Sequence, residues 1–97
     1  MPEFVGGLDS LGSFLKSNII YPEWEKKNKI EGAVYISFVV EKDGKISNPE
    51  IYKTVKASKN FDTEVKRVIS LMPNWKAGEN KGRKVAVKLI LPIRFKL

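Results

Sequence analysis

The 97-residue chain contains no cysteine and no histidine. The first absence excludes disulfides, thiolate nucleophiles and Cys-bound metals, and leaves the redox character of the compartment open. The second removes the commonest general base and the commonest metal ligand. No apolar run approaches the roughly 20 residues that a membrane-crossing helix needs. The opening MPEFVGG has neither the basic nor the apolar region of a signal peptide. Any anchor or export signal is therefore expected outside these residues. Acidic residues are also few: 11 against 18 Lys and Arg, a net charge of +7. That excess favours acidic partners, whether nucleic acid, an anionic membrane face or an acidic protein surface. Lysines and arginines scattered among glutamates and aspartates equally fit an ordinary solvated surface.

With 42% hydrophobic and 30% charged residues, the chain reads as one small globular domain, residues 1–97, with a single core. Leu8, Leu11, Phe14 and Leu15 follow helical spacing after Gly6-Gly7, which predicts a helix over about 8–17 that stops before Tyr21-Pro22. AVYISFVVE, residues 33–41, is β-branched and aromatic, with Val34, Ile36, Phe38 and Val40 on one face. A loop of Lys42, Asp43 and Gly44, with Gly44 left-handed, would set Glu41 opposite Lys45 and Val40 opposite Ile46. The second strand runs from Lys45 to about Val55, with a bulge or bend near Pro49. A second helix opens at Asn60 as N-cap, buries Phe61, Val65, Val68, Ile69 and Met72, and ends at Pro73. Asp62 and Glu64 suit its positively polarised first turn and are assigned no acid-base role. Residues 76–84 read as a polar loop. Trp75, at a helix-to-strand corner, reads as a core plug; Tyr21 fits core or contact equally, and Lys81, Arg83 and Lys84 fit a solvated loop or an acidic partner surface.

The closing VAVKLILPIRFKL alternates apolar residues from Val85 to Leu97. At about 3.3 Å per residue its thirteen positions would span roughly 40 Å, as long as a compact domain of this size or longer. Pro92, which cannot donate to a ladder, places that strand at an edge with the missing donor outward. The expected fold is α+β, a three-stranded antiparallel sheet packed against helix in the order α-β-β-α-β, with a long C-terminal edge strand. Long edges recruit other strands. Lys88, Arg94 and Lys96 could blunt this one, or the edge could exist to receive an extended peptide.

Several separated segments then agree with one family. Tyr21-Pro22 before the first strand, Gly32 opening it, Asp43-Gly44 in the hairpin, the Pro73-x-Trp75-x-x-Gly78 corner and the closing Leu91-Pro92-Ile93-x-Phe95 stand in order and at fixed spacings. In these the chain resembles the C-terminal domain of TonB, the energy transducer, most of all the forms found in Bacteroidetes. The resemblance implies a periplasmic domain of an inner-membrane-anchored protein that draws on the proton gradient through ExbB and ExbD. It implies a TonB-box peptide, from the N-terminus of an outer-membrane transporter, added as a strand along Lys84, Val85, Ala86, Val87, Lys88, Leu89, Ile90 and Leu91, with Arg94 beyond. It places Ser17, Asn18, Ile20, Tyr21 and Pro22 near the transporter plug. No cofactor, metal or catalytic residue is implied. Two departures stand out: the glutamines usual ahead of Tyr-Pro are missing, and Ala77 replaces a proline in the corner.

Two other readings compete. The same fold could be the C-terminal module of a membrane-bound sensor or metallopeptidase, whose signature would be several spans and an HExxH motif upstream. Nucleic-acid binding would need aromatics interleaved with Lys or Arg on an exposed sheet face, and the last strand has no exposed aromatic at its alternating positions. The edge also predicts a monomer with weak dimerisation at high concentration through paired last strands.

Overall fold

A computed structural model describes residues 2–58 and 60–97. The first helix, α1 (Gly7–Asn18), buries Leu11 and leans Phe14 and Leu15 against the core. It ends at Asn18, with Ile19 already extended, and Pro22 keeps Tyr21 from resuming a helical backbone. A short second helix, α2 (Glu23–Lys27), follows. Its five residues carry no apolar repeat, so no helix was expected there.

The first strand, β1 (Gly32–Val40), buries Val34, Ile36, Phe38 and Val40 completely. The hairpin has the expected register: Val40 pairs with Ile46, and the Glu41 N–H donates to the Lys45 carbonyl at 2.8 Å. Gly44 sits at φ +86°, and a Cβ there would lie 2.1 Å from the Trp75 carbonyl oxygen. Both facts require glycine. The second strand, β2 (Ile46–Lys53), slips register twice against β1, and Asn48, beside Pro49, takes a left-handed φ of 50°. The bulge read from Asn48-Pro49 is thus present.

The third helix, α3 (Phe61–Ser70), buries Phe61, Val65, Val68 and Ile69. Asn60 precedes it as expected, yet its own side chain does not cap the helix. The Ser58 hydroxyl accepts the Phe61 N–H at 3.0 Å, while the Asn60 side chain donates to Glu25. Glu25 is fully buried, and its carboxylate also accepts the Asn60 N–H at 2.7 Å and the Ser58 hydroxyl at 2.8 Å. A buried charge is tolerated only with such partners.

The loop expected over 76–84 is instead a hairpin of β3 (Gly78–Asn80) and β4 (Arg83–Val85), turned by Lys81 and Gly82 at φ 53° and 77°. Two positive φ values fit the two-residue turn that follows strand twist. The final strand is correspondingly shorter than expected: β5 is Val87–Phe95, Ala86 breaks it from β4, and Leu97 is half exposed. Nine residues reach about 30 Å within a Cα envelope of 49 × 22 × 16 Å.

The main sheet has the order β2-β1-β5, all antiparallel. The core lies on one of its faces, with residues of α1 and α3 packed against it. An aromatic chain runs through it: Phe61 stacks on Phe95 at 4.0 Å, and Tyr21 meets both edge-on at 5.7 Å. Trp75 meets Phe38 and Phe4, which the Glu3–Lys76 bridge brings in from the N-terminus. Trp75, only 7% exposed, is the core plug its corner position implied.

Candidate functional site

Because β1 is central, β5 has one strand neighbour and one free margin. Its pairing with β1 is unbroken over nine residues, from Val40 opposite Val87 to Gly32 opposite Phe95. The direction of each main-chain group follows from the hairpin. Glu41 bonds toward β2, so odd residues of β1 point their N–H and C=O to β2 and even residues point theirs to β5. Tyr35 is odd and stands opposite Pro92, so that pair exchanges no hydrogen bond and the missing proline donor faces outward. By the same alternation Lys88, Ile90 and Arg94 aim N–H and C=O groups along the free margin. Val87, Leu89, Leu91, Ile93 and Phe95 bond to β1.

Side chains alternate the same way. Lys88, Ile90, Pro92 and Arg94 are exposed, Val87, Leu89 and Leu91 are half-buried, and Ile93 and Phe95 are buried. A groove of about 370 Å³ runs beside the C-terminal half of β5, with Leu15, Ile19 and Tyr21 on one wall and Pro92 to Lys96 on the other. The Tyr21 hydroxyl donates to the Ile30 carbonyl. Burial first, and the nearby Glu31 and Glu25 charges second, push its pKa up.

Two α3 residues hold the connector that forms this wall. Glu64 accepts the Ile20 N–H at 2.6 Å, and Arg67 donates to the Asn18 carbonyl at 2.7 Å and to Glu64 at 2.7 Å. The hydrogen bond from Arg67, chiefly, holds the Glu64 carboxyl below its ordinary value, with the Ile20 N–H adding to it against the opposing effect of burial. Glu64 therefore fastens the connector as well as serving the helix first turn.

The residues named from the sequence thus separate. Tyr21 and Arg94 meet in the groove. Asn18 ends α1, with its side-chain amide donating to the Phe14 carbonyl at 2.8 Å, and Ser17 is exposed one residue earlier. Ile20 is 66% exposed and Pro22 opens α2. Lys84 and Val85 fall outside β5: they pair with Glu79 and Gly78 in the hairpin, and Ala86 lies in the break. Leu15, Lys16 and Ile19 line the groove without having been singled out for it. Leu15 belonged to the helical stripe that spacing revealed, and Glu64 and Arg67 stand at the i, i+3 spacing of a helix-surface pair.

The class this fold and margin define is a two-layer α+β domain with helices packed on the sheet and an edge strand of unbroken register. The chain belongs to the Gram-negative bacterial TonB protein C-terminal family, whose model matches residues 17–97. It is similar to the solution NMR structure of the Pseudomonas aeruginosa TonB CTD, with a TM-score of 0.64 and 27% identity over 80% of this chain and 77% of that one. No curated protein matches it. The chain is a TonB-type periplasmic domain, of a family that serves as a transducer and interaction domain for outer-membrane TonB-dependent transporters. Among the described residues no helix is long and apolar enough to cross a membrane.

Proposed function

We propose that this domain captures the TonB box of an outer-membrane transporter as a fourth strand beside β5, and passes on the pull that ExbB and ExbD deliver through an inner-membrane anchor. The observation that carries the reading is the free margin of β5, where Lys88, Ile90 and Arg94 direct main-chain donors at solvent, with a groove of mixed apolar and basic lining beside Arg94 at its C-terminal end. A row of such bonds, each netting about 1 kcal/mol, gives a grip that forms reversibly and resists load when the bonds share it. The connector Ser17 to Pro22 would lie against the plug, with Ile20 and Tyr21 supplying apolar contact. Lys84, Val85 and Ala86 would adjoin the end of the added strand and lie outside its main row.

Proline at Ile90 tests this. Its N–H points outward, so Ile90→Pro is expected to keep the fold and to weaken binding of a peptide from a transporter N-terminus by about tenfold, the loss of one bond and its neighbour's geometry. Unchanged affinity in the folded variant would exclude strand addition at β5.

A further inference from the structure

The positive charge of the chain is not spread over its surface. Seven of the eighteen cations and one of the eleven acids lie in residues 76–96, so this segment carries +6 while all other side chains together carry +1. The segment is the β3–β4 hairpin followed by β5. The hairpin pairs only with itself, and every residue from Glu79 to Lys84 is exposed. Among the described residues none of the seven cations takes part in a salt bridge; both ion pairs lie elsewhere, at Glu23–Lys27 and Glu64–Arg67. On β5 the two cations, Lys88 and Arg94, share the exposed alternation, Arg94 also reaching the rim of the groove beside Tyr21, while the other alternation is apolar and closes on the core.

We infer that this strip selects its partner: the strand that adds to β5 is an acidic, amphipathic polypeptide, with apolar residues toward the Leu15–Ile19–Tyr21 wall, acidic residues on the solvent face, and an acidic continuation lying on the β3–β4 hairpin. The inference rests on strand addition at β5 and gives that guest its chemistry. Alternate residues of a strand repeat every 6.6 to 7 Å or so, and cross-strand neighbours sit about 5 Å apart. A guest strand with every second residue acidic therefore brings carboxylates beside Lys88 and Arg94 while its other side chains face the groove. Lys81, Arg83 and Lys84 continue the basic run in the chain on the other side of Ala86. A narrow line of cations beside open main-chain donors fits an extended polypeptide; a bilayer would use the cations and leave the donors unused.

The probes are three synthetic decapeptides alternating valine with glutamate, glutamine or lysine, titrated against the whole domain by fluorescence anisotropy. The glutamate peptide is expected to bind about tenfold more tightly than the glutamine peptide at low salt and the lysine peptide most weakly, with the advantage shrinking severalfold near 0.3 M salt. Lys88→Gln with Arg94→Gln should remove most of the advantage of the glutamate peptide over the glutamine peptide, read as the ratio of their affinities for the same variant. Lys81→Gln with Arg83→Gln and Lys84→Gln should matter only for a glutamate peptide lengthened by four glutamates at one end. All five positions are exposed, and a thermal melt verifies folding. Equal affinity for glutamate and glutamine peptides, or an advantage that survives both variants, overturns the charge strip and leaves strand addition standing. Binding by none of the peptides also overturns it, and the Ile90→Pro experiment with a transporter peptide then judges strand addition separately. Sedimentation with phosphatidylglycerol vesicles and no glutamate preference would make the strip a lipid-facing patch instead.

Discussion

The two edges of the sheet contrast. Both carry a proline in mid-strand, Pro49 in β2 and Pro92 in β5. On β2 the proline stands next to a left-handed Asn48 and inside the register slip between Ser47 and Glu50, with a second slip between Ile51 and Lys53, so the outer main-chain groups fall out of line. On β5 it stands in an unbroken nine-residue ladder and costs one outward donor. A proline therefore does not by itself blunt an edge; a bulge does. One margin of the sheet is interrupted by register slips, and the other keeps an unbroken register.

The largest effect that sharpens this contrast is at Leu89. Its N–H bonds inward to β1 and its side chain is packed on the core, so Leu89→Pro should cost about 3 kcal/mol or more of stability in a denaturant melt. Ile90→Pro, one residue on, should cost under about 1 kcal/mol, because only the outward donor is lost. Similar losses at both positions would mean the alternation is misassigned. Next comes Gly44→Ala: the left-handed backbone and the clash with the Trp75 carbonyl should cost about 2 kcal/mol. Asn48→Val puts a β-branched residue at positive φ and should cost about 1 kcal/mol, with peptide affinity unchanged because β2 is the closed edge.

The smallest effect is acid sensitivity of the connector. The folded-state pKa of Glu64 lies below the ordinary 4.5, so its stabilisation is complete above about that pH and is lost as pH falls through the folded-state value. Glu64→Gln should flatten this acid limb in a pH series of melts. An unaltered limb would place the acid sensitivity elsewhere.

Legibility in the sequence followed the range of the interactions. The hairpin register, Gly44, the bulge at Asn48-Pro49 and the edge placement of β5 were readable because turn chemistry, alternation and proline are local rules. The β3–β4 hairpin was not, since its turn needs Lys81 at positive φ, a conformation lysine does not advertise. That hairpin also shortened the last strand, because alternation continues across the break at Ala86 as if nothing happened there. Phe4 reached the core through a bridge of Glu3 to Lys76, far apart in the chain. Glu25 was invisible for the opposite reason: its type says surface, and its burial is made tolerable by partners such as Ser58 and Asn60, more than thirty residues away in the chain. Of the candidate site, the strand was legible from β5 alone. The groove was not, because its second wall belongs to α1 and the connector.

The irregularity of β2 also governs what the molecule can assemble into. Endless growth of a sheet from identical copies requires each copy to offer two acceptor margins, one for the copy before and one for the copy after. With the β2 margin interrupted, a copy docking through β5 would occupy the β5 margin of both molecules, and growth of the main sheet would stop at a pair. Under the proposed strand addition, the same asymmetry would leave each domain one berth for a guest.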